Sequence, residues 1–339
     1  MERNSSVEWY RIIATFAVLV FHFNGWLVGG MPKHFEVDHI SAFRMSQAII
    51  ESCSCICVNM FLIISGYFGI HLKWQSVLKI CLLLFSVYIP FYLFDCLLFN
   101  NTFTVKELLS KFLVISNGGY FIQCYLFLML FSPIINSFIE KYDRRKGAFL
   151  VFVLLLFEFW FDCITHTEYL GFRCGYSVQH FVIVYMVARY IYIYRDKLMK
   201  YKCWYWIGGY FLCSIIILLM YVCGVNYVWQ YSNPMVIISA VFSFVPFLYR
   251  CYVNRWVNWV ARSTLAVYII HVTVPVYNIV VYYDTYILNH YRYSVYLVLA
   301  MVGVIGVFVF CVIYDKLRSL LTDPIFNYII SMGERKKYG

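Results

Sequence analysis

The chain has 339 residues, of which 63% are hydrophobic and only 13% charged, and its mean hydropathy is +0.73. So little polar surface cannot wrap a water-soluble globule of this size, which excludes a soluble enzyme or binding module and places the chain in a bilayer. The net charge of +10 does not call for a nucleic-acid partner, because its distribution along the chain has a topological explanation.

Runs of about 20 apolar residues, the length needed to cross a bilayer, lie near 8–28, 47–70, 76–98, 119–139, 147–164, 177–194, 204–223, 233–250, 264–283 and 293–314. They predict an all-α, polytopic membrane helix bundle of about ten transmembrane helices. The first run is too long, and too far from any small-residue cleavage pattern, to be a removable signal peptide, so it is expected to be retained. The fifth is the weakest run, since it carries Glu158 and Asp162. The 32 Tyr, 31 Phe and 9 Trp fit aromatic belts at two membrane interfaces.

Lys and Arg resist translocation, so their placement orients the spans. Nineteen fall before the first span, after the last, or in one alternate set of loops, against six (Lys33, Arg44, Lys106, Lys111, Arg173 and Arg292) in the other. Both termini are therefore expected in the cytoplasm. A single membrane domain is expected over 1–339, with 315–339 a basic cytoplasmic tail, and no internal repeat stands out. Of the 13 cysteines, the closest cluster is Cys53, Cys55 and Cys57. Cys53 and Cys57 would share a helix face, but with no histidine nearby, small apolar packing is favoured over a metal or a redox pair, and no metal site is expected.

The polar residues inside the spans carry the functional signal. At about 100° per residue, Arg11 and His22 return to one helix face, roughly 16 Å apart along the axis. Arg11 sits just inside the cytoplasmic interface, where it serves as a headgroup anchor or a functional cation. A membrane-buried imidazole has a donor and an acceptor that lipid cannot satisfy, so His22 faces protein or a wet cavity; a packing hydrogen bond between helices is the plainer alternative. Asn59, on the antiparallel second span, lies at a similar depth. His271 is a second intramembrane histidine. Glu158, Asp162 and Arg189 are also costly in lipid; Glu158 and Asp162, four apart near the outer side, are expected to reach interface water rather than to meet a sugar. His34, His39, His166 and His290 fall in expected outer loops and need no special role.

Several motifs resemble one family. Arg11, ten residues, then His22 matches the spacing in the first span of the acyltransferase 3 family of integral-membrane O-acyltransferases, and "SVEWYR" resembles its acidic and aromatic approach to the arginine. "NMFLIISGYFGI", Asn59 to Ile70, is similar to the family's Phe-rich Ser-Gly-Tyr motif, with Leu62 or Met60 where a second Phe is usual. "YFIQCYLFLMLFSPIIN" resembles its fourth-span block ending in Ser-Pro, and "STLAVYIIH", ending at His271, its late Tyr-x-x-His.

The resemblance implies an acyltransferase of the bacterial inner membrane that moves an acyl group, most often acetyl, from cytoplasmic acyl-CoA to a hydroxyl of an extracytoplasmic glycan or lipid-linked sugar. No permanently bound cofactor is implied; acyl-CoA is the donor substrate. In that chemistry His22 serves as general base and Arg11 holds the phosphate-bearing donor. Ser65, Gly66 and Tyr67 lie shallower, where the donor arm passes or where Ser-Gly simply lets helices pack tightly, and Asn59 orients the His22 imidazole or donates to the oxyanion. His271 is a supporting polar group. Direct transfer and an acyl-histidine intermediate both stay open. The rival from another class is a transporter or flippase of lipid-linked sugars, which predicts paired broken helices. A third is a membrane-bound acyltransferase of an unrelated fold that uses deep Asn and His; it shares the chemistry but does not predict the early Arg-x10-His.

Overall fold

The computed structural model describes residues 3–26, 41–98, 102–112 and 119–338, and all regular structure among them is helical. In chain order the helices are α1 (Ser5–Trp26), α2 (Ala42–Ser54), α3 (Cys57–Phe68), α4 (Trp74–Leu98), α5 (Val105–Phe112), α6 (Gly119–Lys141), α7 (Arg144–Glu158), α8 (Val178–Leu198), α9 (Cys203–Val222), α10 (Pro234–Phe244), α11 (Arg255–Ala261), α12 (Thr264–His271), α13 (Val274–His290) and α14 (Tyr293–Tyr338). His34 and His39 lie outside the described residues, as do parts of the two long outer loops.

Among the described residues every expected span coincides with helix, but seven helices rather than ten are long and apolar enough to cross a membrane, or eight if one bent pair is counted. The three exceptions have separate causes. The 177–194 run forms the 21-residue α8, whose inner half carries Arg189, Arg195, Asp196 and Lys197. The 233–250 run gives only the 11-residue α10 and a 3-10 turn, Val245–Leu248, in which Pro246 cannot continue the α-helical ladder. The 264–283 run breaks at Val272–Thr273, where the flanking helices bend by 81° and Pro275 opens the next helix.

The chain divides into two compact units. The first holds residues 1–71 and 127–261. Its centre is α1 and the α2–α3 span: 56% of the most apolar window of the former and 72% of that of the latter are enclosed by protein, against 22% for the α7 span. Polar groups on α1, α2 and α3 therefore meet protein rather than lipid. Side chains close the helix N-termini, whose first N–H groups lack intrahelical partners: Ser41 caps α2, Asp143 α7, Ser177 α8 and Asn233 α10. Between α2 and α3 the turn at Cys55–Ile56 breaks the helix, so Cys53 and Cys57 lie on separate helices; all 13 cysteines are free.

After α7 the helix loosens into a π segment, Phe159–Ile164, which carries Asp162. Such widened turns alter the register of the residues on either side. The second unit, 72–126 and 262–339, holds α4, α5, the start of α6 and α12 to α14. There the tail beginning at Asp315 continues α14 as helix, tied by Asp315 to Arg318 at 2.6 Å and by Arg318 to Ser86 at 3.1 Å.

Candidate active site

At the N-terminal end of α1, Arg11 is paired. Its Nη1 donates to both oxygens of Glu8, at 2.9 and 2.8 Å, one helical turn back. Glu8 is buried, and Arg3 approaches it at 3.7 Å. Two cations thus surround one carboxylate, while Nη2 and Nε of Arg11 have no partner among the described residues. Tyr10 between them is buried and donates to the Ala240 carbonyl or shares a bond with Ser243. The acidic residue of "SVEWYR" is therefore the arginine's own counterion.

At the other end of α1, His22 is half-buried and stacks on Trp26, with ring centroids 4.9 Å apart. The preceding Phe21 packs on Tyr231 at 6.3 Å. Two residues beyond His22, the buried Asn24 donates to Glu51 at 2.6 Å and to the Gln47 carbonyl at 3.1 Å. Glu51 lies on α2, within the second expected span, and is itself buried.

Asn59, fully buried on α3, orients an imidazole, but that of His180. Its Nδ2 donates to the Tyr231 carbonyl at 2.9 Å, which leaves Oδ1 to accept from His180 Nε2 at 2.7 Å. On the far side of the ring, Nδ1 meets Glu158 Oε1 at 2.9 Å, and both residues are fully buried. Because Nε2 must carry a proton to reach Asn59, the Nδ1–Glu158 contact holds one further proton, on either atom. The pair is then neutral as a whole, the form that is tolerable inside a membrane.

Glu158 and Asp162 thus avoid interface water. Asp162 is 5% exposed, and its Oδ1 accepts from the Cys174 N–H at 2.8 Å. The π segment separates their tasks: Glu158 turns to α8 and Asp162 to the 173–175 turn. The second oxygens of both carboxylates, together with both polar atoms of Gln230 and Nε2 of Gln47, are buried without a partner among the described residues. Among the described residues, the part of this unit around Glu158 and Asp162 is thus rich in hydrogen-bonding capacity that the protein leaves unused.

The Ser-Gly-Tyr segment lies toward the inner end of α3. Gly66 makes room for α8: a Cβ there would stand 2.6 Å from both the Tyr185 carbonyl oxygen and Ala188 Cβ. Tyr67 is buried edge-on against Tyr192 and Phe244, with centroids at 5.4 and 5.2 Å. Ser65 is half-buried on the same helix. Tyr10 packs on the same Phe244 ring at 5.2 Å, so α1 and α3 share this inner aromatic layer.

His271 belongs to the second unit. It is 1% exposed, and its Nδ1 donates to the Val267 carbonyl at 2.9 Å within its own helix. That bond fixes the proton on Nδ1. Among the described residues no cluster of three or more His, Cys, Asp or Glu is arranged to hold a metal.

Sequence reasoning missed His180, Glu51, Asn24 and Glu8. For His180 the signal was present: Glu158 near the outer end of the fifth span and His180 near the outer start of the sixth share a depth, by the same argument that placed Asn59 beside His22.

A family model, described as an acyltransferase domain, matches residues 4–329, nearly the whole chain. No curated protein and no solved structure matches it.

Proposed function

Because the chain belongs to the acyltransferase 3 family and is a multi-pass membrane acyltransferase, we propose that it takes an acyl group, acetyl first, from cytoplasmic acyl-CoA and transfers it to a hydroxyl of an extracytoplasmic glycan or lipid-linked sugar, in a bacterial inner membrane. The observation that carries this reading is the course of α1, with a cation near its N-terminal end and the half-buried His22 imidazole one turn from its C-terminal end.

His22 removes the proton of the acceptor hydroxyl as the oxygen attacks the thioester carbonyl, and that proton leaves with the CoA thiol. Stacking on Trp26 fixes the ring plane without consuming a ring nitrogen. Arg11, with Glu8 holding one edge of its guanidinium, draws the anionic donor to the cytoplasmic mouth. The unused buried polar atoms around Glu158, Asp162, Gln47 and Gln230 offer partners to a polyhydroxylated acceptor entering from the outer side.

The test is transfer of labelled acetyl from acetyl-CoA to extracted surface glycans, in membranes holding the wild-type chain or His22→Ala. Label that appears with wild type alone supports the reaction and its base. Equal labelling with the variant removes His22 from the chemistry.

A further inference from the structure

Arg189 contrasts with Arg11 in having no carboxylate. It lies on α8 where α3 ends, and among the described residues its one hydrogen bond runs from Nη1 to the Tyr67 carbonyl at 3.3 Å. Its Nε is buried without a partner. A guanidinium that is partly withdrawn from water and answered by a carbonyl dipole and a tyrosine ring, but by no carboxylate, keeps an unneutralised charge, and an arrangement of this kind is costly unless an anion completes it.

The surroundings hold that guanidinium in place. Gly69, at φ +76, caps α3 in the left-handed region, and a Cβ there would come within 3.1 Å of Arg189 Nη1. The residue after it is fixed by a closed ring of bonds: the Ile70 N–H donates to the Tyr185 hydroxyl, which donates to Asn136 Oδ1, while Asn136 Nδ2 donates to the Ile70 carbonyl, at 2.8, 2.8 and 2.9 Å. Arg189 also lies 5.2 Å from the ring centre of Tyr192, three residues on. Arg195, three residues further, reaches the same ring at 4.5 Å. Among the described residues its one carboxylate contact is Asp196 at 3.8 Å, an 86% exposed side chain whose pull is screened by water. Two guanidinium groups thus flank one tyrosine, from either side, at the ends of α3 and α8 that the proposed topology places at the cytoplasm.

We infer that this site holds the diphosphate of the acyl-CoA donor, with Arg189 as its principal ligand and Arg195 as its second. A guanidinium offers paired N–H groups that match phosphate oxygens, and it stays charged at any working pH. From Tyr67 the axis of α3 runs about 12 Å to Asn59, a distance the extended pantetheine arm spans. The inference rests on acyl-CoA being the donor, as proposed above.

Binding can be measured without knowing the acceptor. CoA and S-acetylpantetheine, which has the arm but no diphosphate, are titrated onto the full chain in phosphatidylcholine nanodiscs. Arg189→Gln is expected to weaken CoA about 10- to 100-fold, the worth of one or two charge-assisted hydrogen bonds, and to leave S-acetylpantetheine unchanged. Arg189→Lys recovers part of the loss, and Arg195→Gln costs less. Wild-type affinity for CoA in Arg189→Gln, or an equal loss for both compounds, overturns the site. So does Arg189-dependent capture of phosphatidylglycerol with CoA binding unaffected, which assigns the guanidinium to a lipid headgroup. A wild-type chain that binds no CoA removes the donor and the site together. Arg189-dependent CoA binding without transfer to any glycan removes the proposed reaction and leaves the site standing.

Discussion

His22 and His180 lie in the same unit and differ in burial and in bonding. His22 is half-buried, with an aromatic ring against its face. His180 is sealed, and both ring nitrogens are bonded, to Glu158 and to Asn59. A ring whose nitrogens are both engaged inside the protein holds its neighbours in register; a ring with access to the surface can exchange a proton with a substrate. Under the proposed reaction, the carboxylate partner that is often taken to mark a catalytic histidine belongs instead to the sealed ring. Burial, rather than the presence of an acidic neighbour, is what sets the two rings apart.

The largest expected effect tests the open ring. His22→Ala should lower acyl transfer by about 10²- to 10⁴-fold, the usual contribution of a positioned base, while thermal unfolding in detergent stays near wild type. A large loss of stability with little loss of turnover would exchange the roles of the two histidines.

The sealed ring predicts the reverse. His180→Ala leaves Glu158 and the Asn59 amide oxygen buried and unpaired, and should cost about 3–5 kcal/mol of stability. Replacing His180 and Glu158 together with leucines removes the buried carboxylate, leaves the Asn59 amide oxygen as the one orphaned group, and should cost less than His180→Ala alone. That ordering, read from unfolding midpoints, is the sharpest check that the pair is structural; a double variant no more stable than the single one would mean that the pair's polarity is itself needed.

Gly66→Ala comes next. The added methyl meets the Tyr185 backbone at 2.6 Å, and backbone cannot step aside as a flexible side chain can. Overpacking of this kind costs about 1–3 kcal/mol, and should lower the unfolding midpoint. A midpoint unchanged from wild type would show that α3 and α8 pack less tightly than the structure has them.

These elements show what a sequence carries and what it does not. The spans were legible because a bilayer imposes a length, and Arg11, His22 and Asn59 were legible because polar atoms in such runs are few and costly. The broken span at Val272–Thr273, the short α10 and the π segment after Glu158 depend on proline placement and neighbour packing that a count of apolar residues does not register. Partners were the harder part. Depth alone set Asn59 beside the His22 imidazole, yet other helices of this unit bring polar groups close to it, and the packing of α3 on α8 selects His180. Glu51 and Asn24 were hidden by their own spans, since a run that is apolar on average conceals one buried polar contact.

The smallest expected effect separates the two arginines in the way the first separates the histidines. Arg11 already has Glu8, so a donor phosphate must share its guanidinium with a carboxylate; Arg189 has only a carbonyl. Arg11→Gln should therefore raise the KM for acetyl-CoA by no more than about fivefold, in line with the roughly 1 kcal/mol that a partly exposed ion pair contributes, with kcat held. Adding Glu8→Gln to it should restore part of the loss, because the unpaired carboxylate that repels the donor is gone. If Arg11→Gln raised KM more than Arg189→Gln does, then Glu8 would be serving to orient Arg11 toward the donor rather than to neutralise it, and the diphosphate would belong at the start of α1.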